Sequence, residues 1–167
     1  YLVTKHLLDS GRRNIAGFFK ADDRQGIERH KGYVKALQEH EIAYDPDKVV
    51  WFHTEDRRKK PALMVRNMVR QNSFPDGIVC YNDQIAYGVI DLLQKHNVRV
   101  PEDVLVIGFD DSSISEYSPV KITSFVHPKV EMGRAAANKL IHMLRSSDPE
   151  QPLVLDMPLH EKESTRR

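Results

Sequence analysis

The chain has 167 residues, about one domain at roughly 150 residues each. Such a domain can bury about 70% of its unfolded surface and needs no disulfide staples. Lys plus Arg (25) nearly balances Asp plus Glu (24), which excludes a strongly basic nucleic-acid module and a polyanionic tail. A single cysteine, Cys80, leaves no disulfide framework and no CxxC metal site. No apolar run reaches the 18 or so residues of a membrane span, and no membrane partner is expected. The first residue is Tyr1, with no methionine or leader before it, which reads as a fragment that opens inside a helix.

In chain order, Leu2, His6 and Leu7 share a helical face that stops at Gly11, a glycine cap. Asn14 to Phe19 is a short apolar strand, followed by the polar segment Lys20 to Gln25. Ile27, Val34 and Leu37 then predict a helix to about His40. Val49 to Phe52 is a second strand. Ala62, Val65, Met68 and Val69 mark a helix starting near Pro61, a favoured first-turn residue. Ile78 to Tyr81 is a strand, and Ala86, Val89, Ile90 and Leu93 follow at helical spacing. Val104 to Phe109 and Ile122 to Val126 are two more strands. Met132, Ala135, Ala136, Leu140, Ile141 and Leu144 predict a helix, and the tail carries β-type runs at Leu153 to Leu155 and Met157 to Leu159.

Short continuous apolar strands alternating with amphipathic helices predict an α/β fold: a parallel sheet flanked by helices on both faces. Ligands of such sheets bind beyond the carboxyl ends of the strands. That rule selects four polar loops: Lys20 to Gln25, Phe52 to Asp56, Asn82 to Gln84, and Asp110 to Ser113.

Enzyme signatures are missing. There is no phosphate loop, no GxGxxG fingerprint and no GxSxG elbow. His40-Glu41 and His160-Glu161 begin like zinc-protease motifs but lack the second histidine. The chain therefore reads as a non-enzyme without metal or cofactor.

Asp22-Asp23 could bind a metal, cap the next helix, or accept hydrogen bonds from ligand hydroxyls. Asp110-Asp111, delivered by a buried strand, faces the cleft edge. Asp83 reads as the cap of the helix carrying Ala86, which leaves Asn82 as the ligand contact. Arg29, one turn into its helix, can point back over the strand ends, where its five donors suit hydroxyls or a carboxylate. Its alternative is a surface arginine. Trp51 and Phe52, with His53, supply either an aromatic wall for a sugar or plain core. Arg57-Arg58-Lys59-Lys60 reads as a solvated helix start.

Val100-Pro101-Glu102-Asp103-Val104 and Val106-Ile107-Gly108-Phe109-Asp110-Asp111 resemble the effector domains of the lactose/galactose repressor family (LacI/GalR). So do Asp76 to Ala86, Lys121-Ile122-Thr123-Ser124, and His6-Leu7-Leu8 with Gly11 to Ala16. Glu163-Ser164-Thr165-Arg166-Arg167 resembles that family's closing strand. A narrower similarity is to its arabinose-repressor branch in Gram-positive bacteria, where a winged-helix head of the GntR type precedes the sensor. Phe18-Phe19-Lys20-Ala21-Asp22-Asp23, Gln25-Gly26, Cys80 to Asp83 and Val126 to Lys129 carry it.

The resemblance implies a two-lobed, periplasmic-binding-protein-like (type I) sensor, of which this chain is mainly the C-terminal lobe. Residues 1–123 and 152–167 would form that lobe, and 124–151 would belong to the N-terminal one. It implies Arg29, Asn82 and Asp110 as sugar contacts, His53 and His127 at two further contact positions, and Lys20, Asp22 and Asp23 as candidates for sugar selectivity. It implies L-arabinose as effector, homodimerisation, operator DNA bound through a head absent from this chain, and a cytoplasmic location. A transport-system sugar-binding protein of the same fold is the alternative.

Overall fold

The computed structural model describes residues 1–145 and 152–166. Six strands form one sheet in the order β2-β1-β3-β4-β5-β6. They are β1 (Ile15–Lys20), β2 (Val49–Phe52), β3 (Gly77–Cys80), β4 (Leu105–Asp110), β5 (Thr123–Val126) and β6 (Leu159–His160). The first five are parallel and β6 runs antiparallel to β5, with Phe125 opposite Leu159. The expected parallel sheet thus carries one antiparallel edge.

Side-chain alternation sorts the core onto two faces. On one, Ala16, Phe18, Ile78, Cys80 and Val106 meet α3 (Lys59–Gln71) and α4 (Asp83–Lys95) through Val65, Met68, Ala86, Val89 and Leu93. On the other, Ile15, Phe19, Val79, Leu105 and Ile107 meet α1 (Leu2–Asp9) and α2 (Arg24–Glu39) through Leu7, Tyr33, Ala36 and Leu37. Because β1, β3 and β4 are buried on both faces, they read as unbroken apolar runs. Each large side chain so buried contributes about 1.5–3 kcal/mol.

Helix ends follow local chemistry. Gly11 has φ 86° and closes α1 as anticipated: its N–H donates to the Leu8 carbonyl and that of Arg12 to Leu7. The α3 helix starts at Lys59, two residues before Pro61, and ends at Asn72 in the left-handed region. The stripe of α2 is Tyr33, Ala36 and Leu37; Ile27, assigned to it from the sequence, is exposed. Two features have no counterpart in the periodicity: the five-residue helix α5 (Ser113–Tyr117) and the 3-10 turns at Pro46–Lys48 and Thr54–Asp56.

Corrections fall at the end of the chain. Leu153 to Leu155 forms no strand, and the Met157 to Leu159 run yields only Leu159–His160. Glu163 to Thr165 is a turn rather than a closing strand, and Arg167 lies outside the described residues. The turn is nonetheless built in, because Ser164 is buried and its hydroxyl donates to the Val106 carbonyl at 2.5 Å. The strand expected at Ile122 to Val126 is β5, Thr123–Val126, and His127 is the first residue past it. The helix that follows, α6 (Lys129–Arg145), buries none of its residues.

Candidate functional site

The sheet order places β1 between β2 and β3, so chain direction switches at the β1/β3 boundary. In sheets of this kind ligands bind at such a switch point, beyond the carboxyl ends of the strands. Lys20, Tyr81, Asp110 and His127 stand at or just past the ends of β1, β3, β4 and β5.

Arg29 is the centre of one half. Its guanidinium lies between the rings of Tyr81 and Phe109, 4.7 and 4.3 Å from their centroids. It donates to the Tyr81 carbonyl and, at 3.4 Å, to Asp110 Oδ1. His127 Nδ1 is 3.7 Å from the same oxygen. The arginine is 14% exposed and Asp110 30%, so the cation is stacked and oriented while the carboxylate faces outward. This settles the surface-arginine alternative against it. The structure therefore brings Arg29, Asp110 and His127 together.

The second half is carried by the β1 loop. Asp23 caps α2, its Oδ1 accepting the Gly26 N–H at 2.7 Å, while its Oδ2 accepts the Tyr81 hydroxyl at 2.6 Å. Lys20 Nζ lies 3.1 Å from Asp23 and 3.6 Å from Asp22. Asp22 Oδ2 accepts the Thr54 hydroxyl at 2.7 Å and its N–H at 3.0 Å, which ties the β1 loop to the β2 loop.

These bonds set the charges. The Thr54 hydrogen bonds, the hydroxyl first, hold the Asp22 carboxyl at about 2. At Asp23, burial works to raise the carboxyl. The Tyr81, Gly26 and Lys20 donors outweigh it and keep the group below its ordinary value. The hydrogen bond with Asp23 raises the Lys20 ammonium. His53 sits at the rim, exposed, with its backbone N–H donating to Asp56 at 2.6 Å.

Two assignments change, and the choice left open at Trp51 is decided. Asn82, not Asp83, caps α4, accepting the Ile85 N–H at 3.1 Å. Its Oδ1 is thereby engaged within the helix start. Asp83 is buried instead and accepts from Ser124 Oγ at 2.6 Å and from Ser112 N and Oγ at 2.7 and 3.0 Å. Burial raises its carboxyl, against the pull of these donors. Trp51 is no platform: it packs on His30 (4.8 Å) and Phe19 (5.9 Å) beneath α2, and Phe52 is fully buried on the opposite face.

Tyr81 and Phe109 went unrecognised as site residues because each ends an apolar run and reads as core. Their position at the last residue of a predicted strand, beside the cleft, was the available signal. Among the described residues no group of three or more His, Cys, Asp or Glu side chains could hold a metal ion.

This fold and strand-end site define a class of small-molecule-binding domain. Residues 4–165 match the family model for the periplasmic binding protein-like domain, and the chain belongs to that family. It is 42% identical over 99% of its length to the arabinose metabolism transcriptional repressor of Halalkalibacterium halodurans, and 36% identical over 99% to that of Geobacillus stearothermophilus. It covers 46% and 47% of those relatives, so it spans about half the length of each. Among solved structures it superposes with a TM-score of 0.84, at 30% identity, on a sugar-binding transcriptional regulator (LacI family) from Escherichia coli complexed with phosphate. That match covers 96% of this chain and 57% of the other. The resemblance read from the motifs is thereby established.

Proposed function

We propose that this chain is the effector-binding part of a transcriptional repressor that senses a small sugar, L-arabinose, and releases operator DNA when the sugar binds. The observation that carries the reading is the stacked Arg29 beside the partly exposed Asp110 at the carboxyl ends of the strands. A fixed donor fork next to a carboxylate acceptor suits adjacent sugar hydroxyls, which both donate and accept. Asn82 and His127 add polar groups on the same rim, and Lys20, Asp22 and Asp23 supply selectivity at the neighbouring strand end. His53 closes the rim. The two arabinose-repressor relatives support the choice of sugar.

The remaining half of a longer protein supplies a second lobe in this reading, and the segment from His127 to residue 151 belongs to it, while the tail returns to this sheet. Sugar held between the lobes favours a closed state, and closure lowers affinity for DNA in the cytoplasm by a population shift. The site acts by binding rather than catalysis. A homodimer is proposed through the groove of about 420 Å³ between α3, α4 and α5. Arg57, Arg58 and Asp91 line it along with Tyr87, Leu92 and Ile114, so it carries charges of both signs that a self-complementary two-fold contact can pair. Sedimentation of the full-length protein as a monomer removes that part.

The test is a thermal-shift screen of sugars on the full-length protein, followed by calorimetry with L-arabinose. Arg29→Ala and Asp110→Ala are expected to abolish binding. Unchanged affinity in both variants overturns the site assignment. Tight sugar binding with no effect on operator DNA supports the transport-protein alternative, whose fold is the same.

A further inference from the structure

Asp110 and Asp111 both have positive φ, 92° and 42°. Consecutive non-glycine residues in this region are strained and persist only where their surroundings impose the conformation. The Asp110 side chain is weakly held, since its carboxylate contacts are the long ones to Arg29 and His127, and its backbone sits opposite Val126 at the last position of β4. Asp111 is held from every side. Its Oδ1 accepts Lys162 Nζ at 2.7 Å and the Ser115 hydroxyl at 3.2 Å. Its Oδ2 lies 2.7 Å from His160 Nδ1, and its N–H donates to Ser124 Oγ at 3.0 Å. Lys162, 11% exposed, also reaches Glu116 at 2.6 Å and Ser115 at 2.8 Å.

We propose that Asp111, clamped by Lys162 and His160, is the positioning residue that fixes Asp110 against Arg29, so that the tail segment 160–162 governs the sugar site without touching it. The geometric claim stands alone; its consequence for sugar binding rests on the effector reading above. The tail has its own anchors. Lys162 N–H donates to Thr123 Oγ1 at 2.8 Å, and Ser164 bonds Thr123 and Val106. Removing the Lys162 charge therefore loosens the clamp and leaves the tail in place.

The experiment uses the full-length protein and three variants. Lys162→Met removes the charge and keeps the chain length, Lys162→Arg restores a cation, and His160→Gln removes the second contact from a half-exposed side chain. In sugar-free crystal structures, Asp110 is expected to leave the left-handed region and move away from Arg29 in Lys162→Met, and to return in Lys162→Arg. Asp110 unmoved in Lys162→Met overturns the proposal, and this comparison needs no sugar. Calorimetry with L-arabinose is expected to show a loss on the order of tenfold for Lys162→Met, a smaller one for His160→Gln, and recovery in Lys162→Arg. Affinity in Lys162→Met equal to that of the unmodified protein also overturns it. An unmodified protein that binds no L-arabinose refutes the effector reading, and the crystal comparison then decides the clamp alone. If Lys162→Met does not fold, His160→Gln is read against the same criteria.

Discussion

Two acidic residues of this chain, Asp22 and Asp83, do opposite work. Asp22 is held ionised by Thr54, while burial pushes Asp83 toward its neutral form. The sign for stability follows. A carboxylate lowered on folding contributes stability that is fully present above its unfolded value, near 3.8, and is lost as pH falls through its folded value, about 2. Asp22→Asn is therefore expected to lower the urea midpoint at pH 7, and the gap to the unmodified protein is expected to close between about pH 4 and 2. A gap that persists unchanged at pH 2 would show that the Thr54 contacts do not depend on charge. The same scale explains the exchange between Asn82 and Asp83. Both side chains can cap a helix, and the spacing cannot choose between them. Ser112 and Ser124 choose, by offering three donors to Asp83 from two other elements.

At the scale of elements, the β1–α2 junction sets the selectivity half of the site. The backbone of Lys20 lies so near Gly26 that a Cβ there would overlap the Lys20 carbonyl. The α2 helix thus starts in contact with the strand end, and this contact puts Asp23 in reach of both Tyr81 and Lys20. Gly26→Ala is expected to cost about 1–3 kcal/mol by forcing the two apart. Chemical denaturation measures it, and a loss below about 0.5 kcal/mol would mean that the junction yields without strain. The corrected elements share one cause. The five-residue α5 helix and the two-residue β6 are too short to show a period, and both are held by contacts from elsewhere in the chain.

For the whole molecule, α6 is the exception. The strands β1, β3 and β4 are covered on both faces, yet Leu140, Met143 and Leu144 are 59, 59 and 79% exposed. An apolar stripe that packs on nothing in its own sheet fits the two-lobe proposal, because the chain spans about half of its relatives. The paired substitution Leu140→Lys, Leu144→Lys is expected to leave the Tm of the 167-residue chain within about 2 °C and to raise its solubility. In the full-length protein the same pair is expected to cost several kcal/mol, on the order of 2–5 for each buried leucine lost. Equal Tm changes in both contexts would count against a covering lobe.

The sequence by itself determined the alternation of strands and helices, the two-faced burial of the strands, and which loops could face a ligand. These depend on periodicity and local apolar runs, which need no knowledge of neighbours. It also placed Asp110, Lys20, Asp22 and Asp23 at strand ends and Arg29 one turn into the helix that follows β1, through motifs that are local in the chain. Only the tertiary structure decided the strand order and hence the switch point between β1 and β3. It alone decided that Trp51 packs on Phe19 and His30, set Tyr81 and Phe109 on either side of Arg29, and joined Lys162 to Asp111, 51 residues apart. Those outcomes are contacts between distant segments, whose energies no single segment contains.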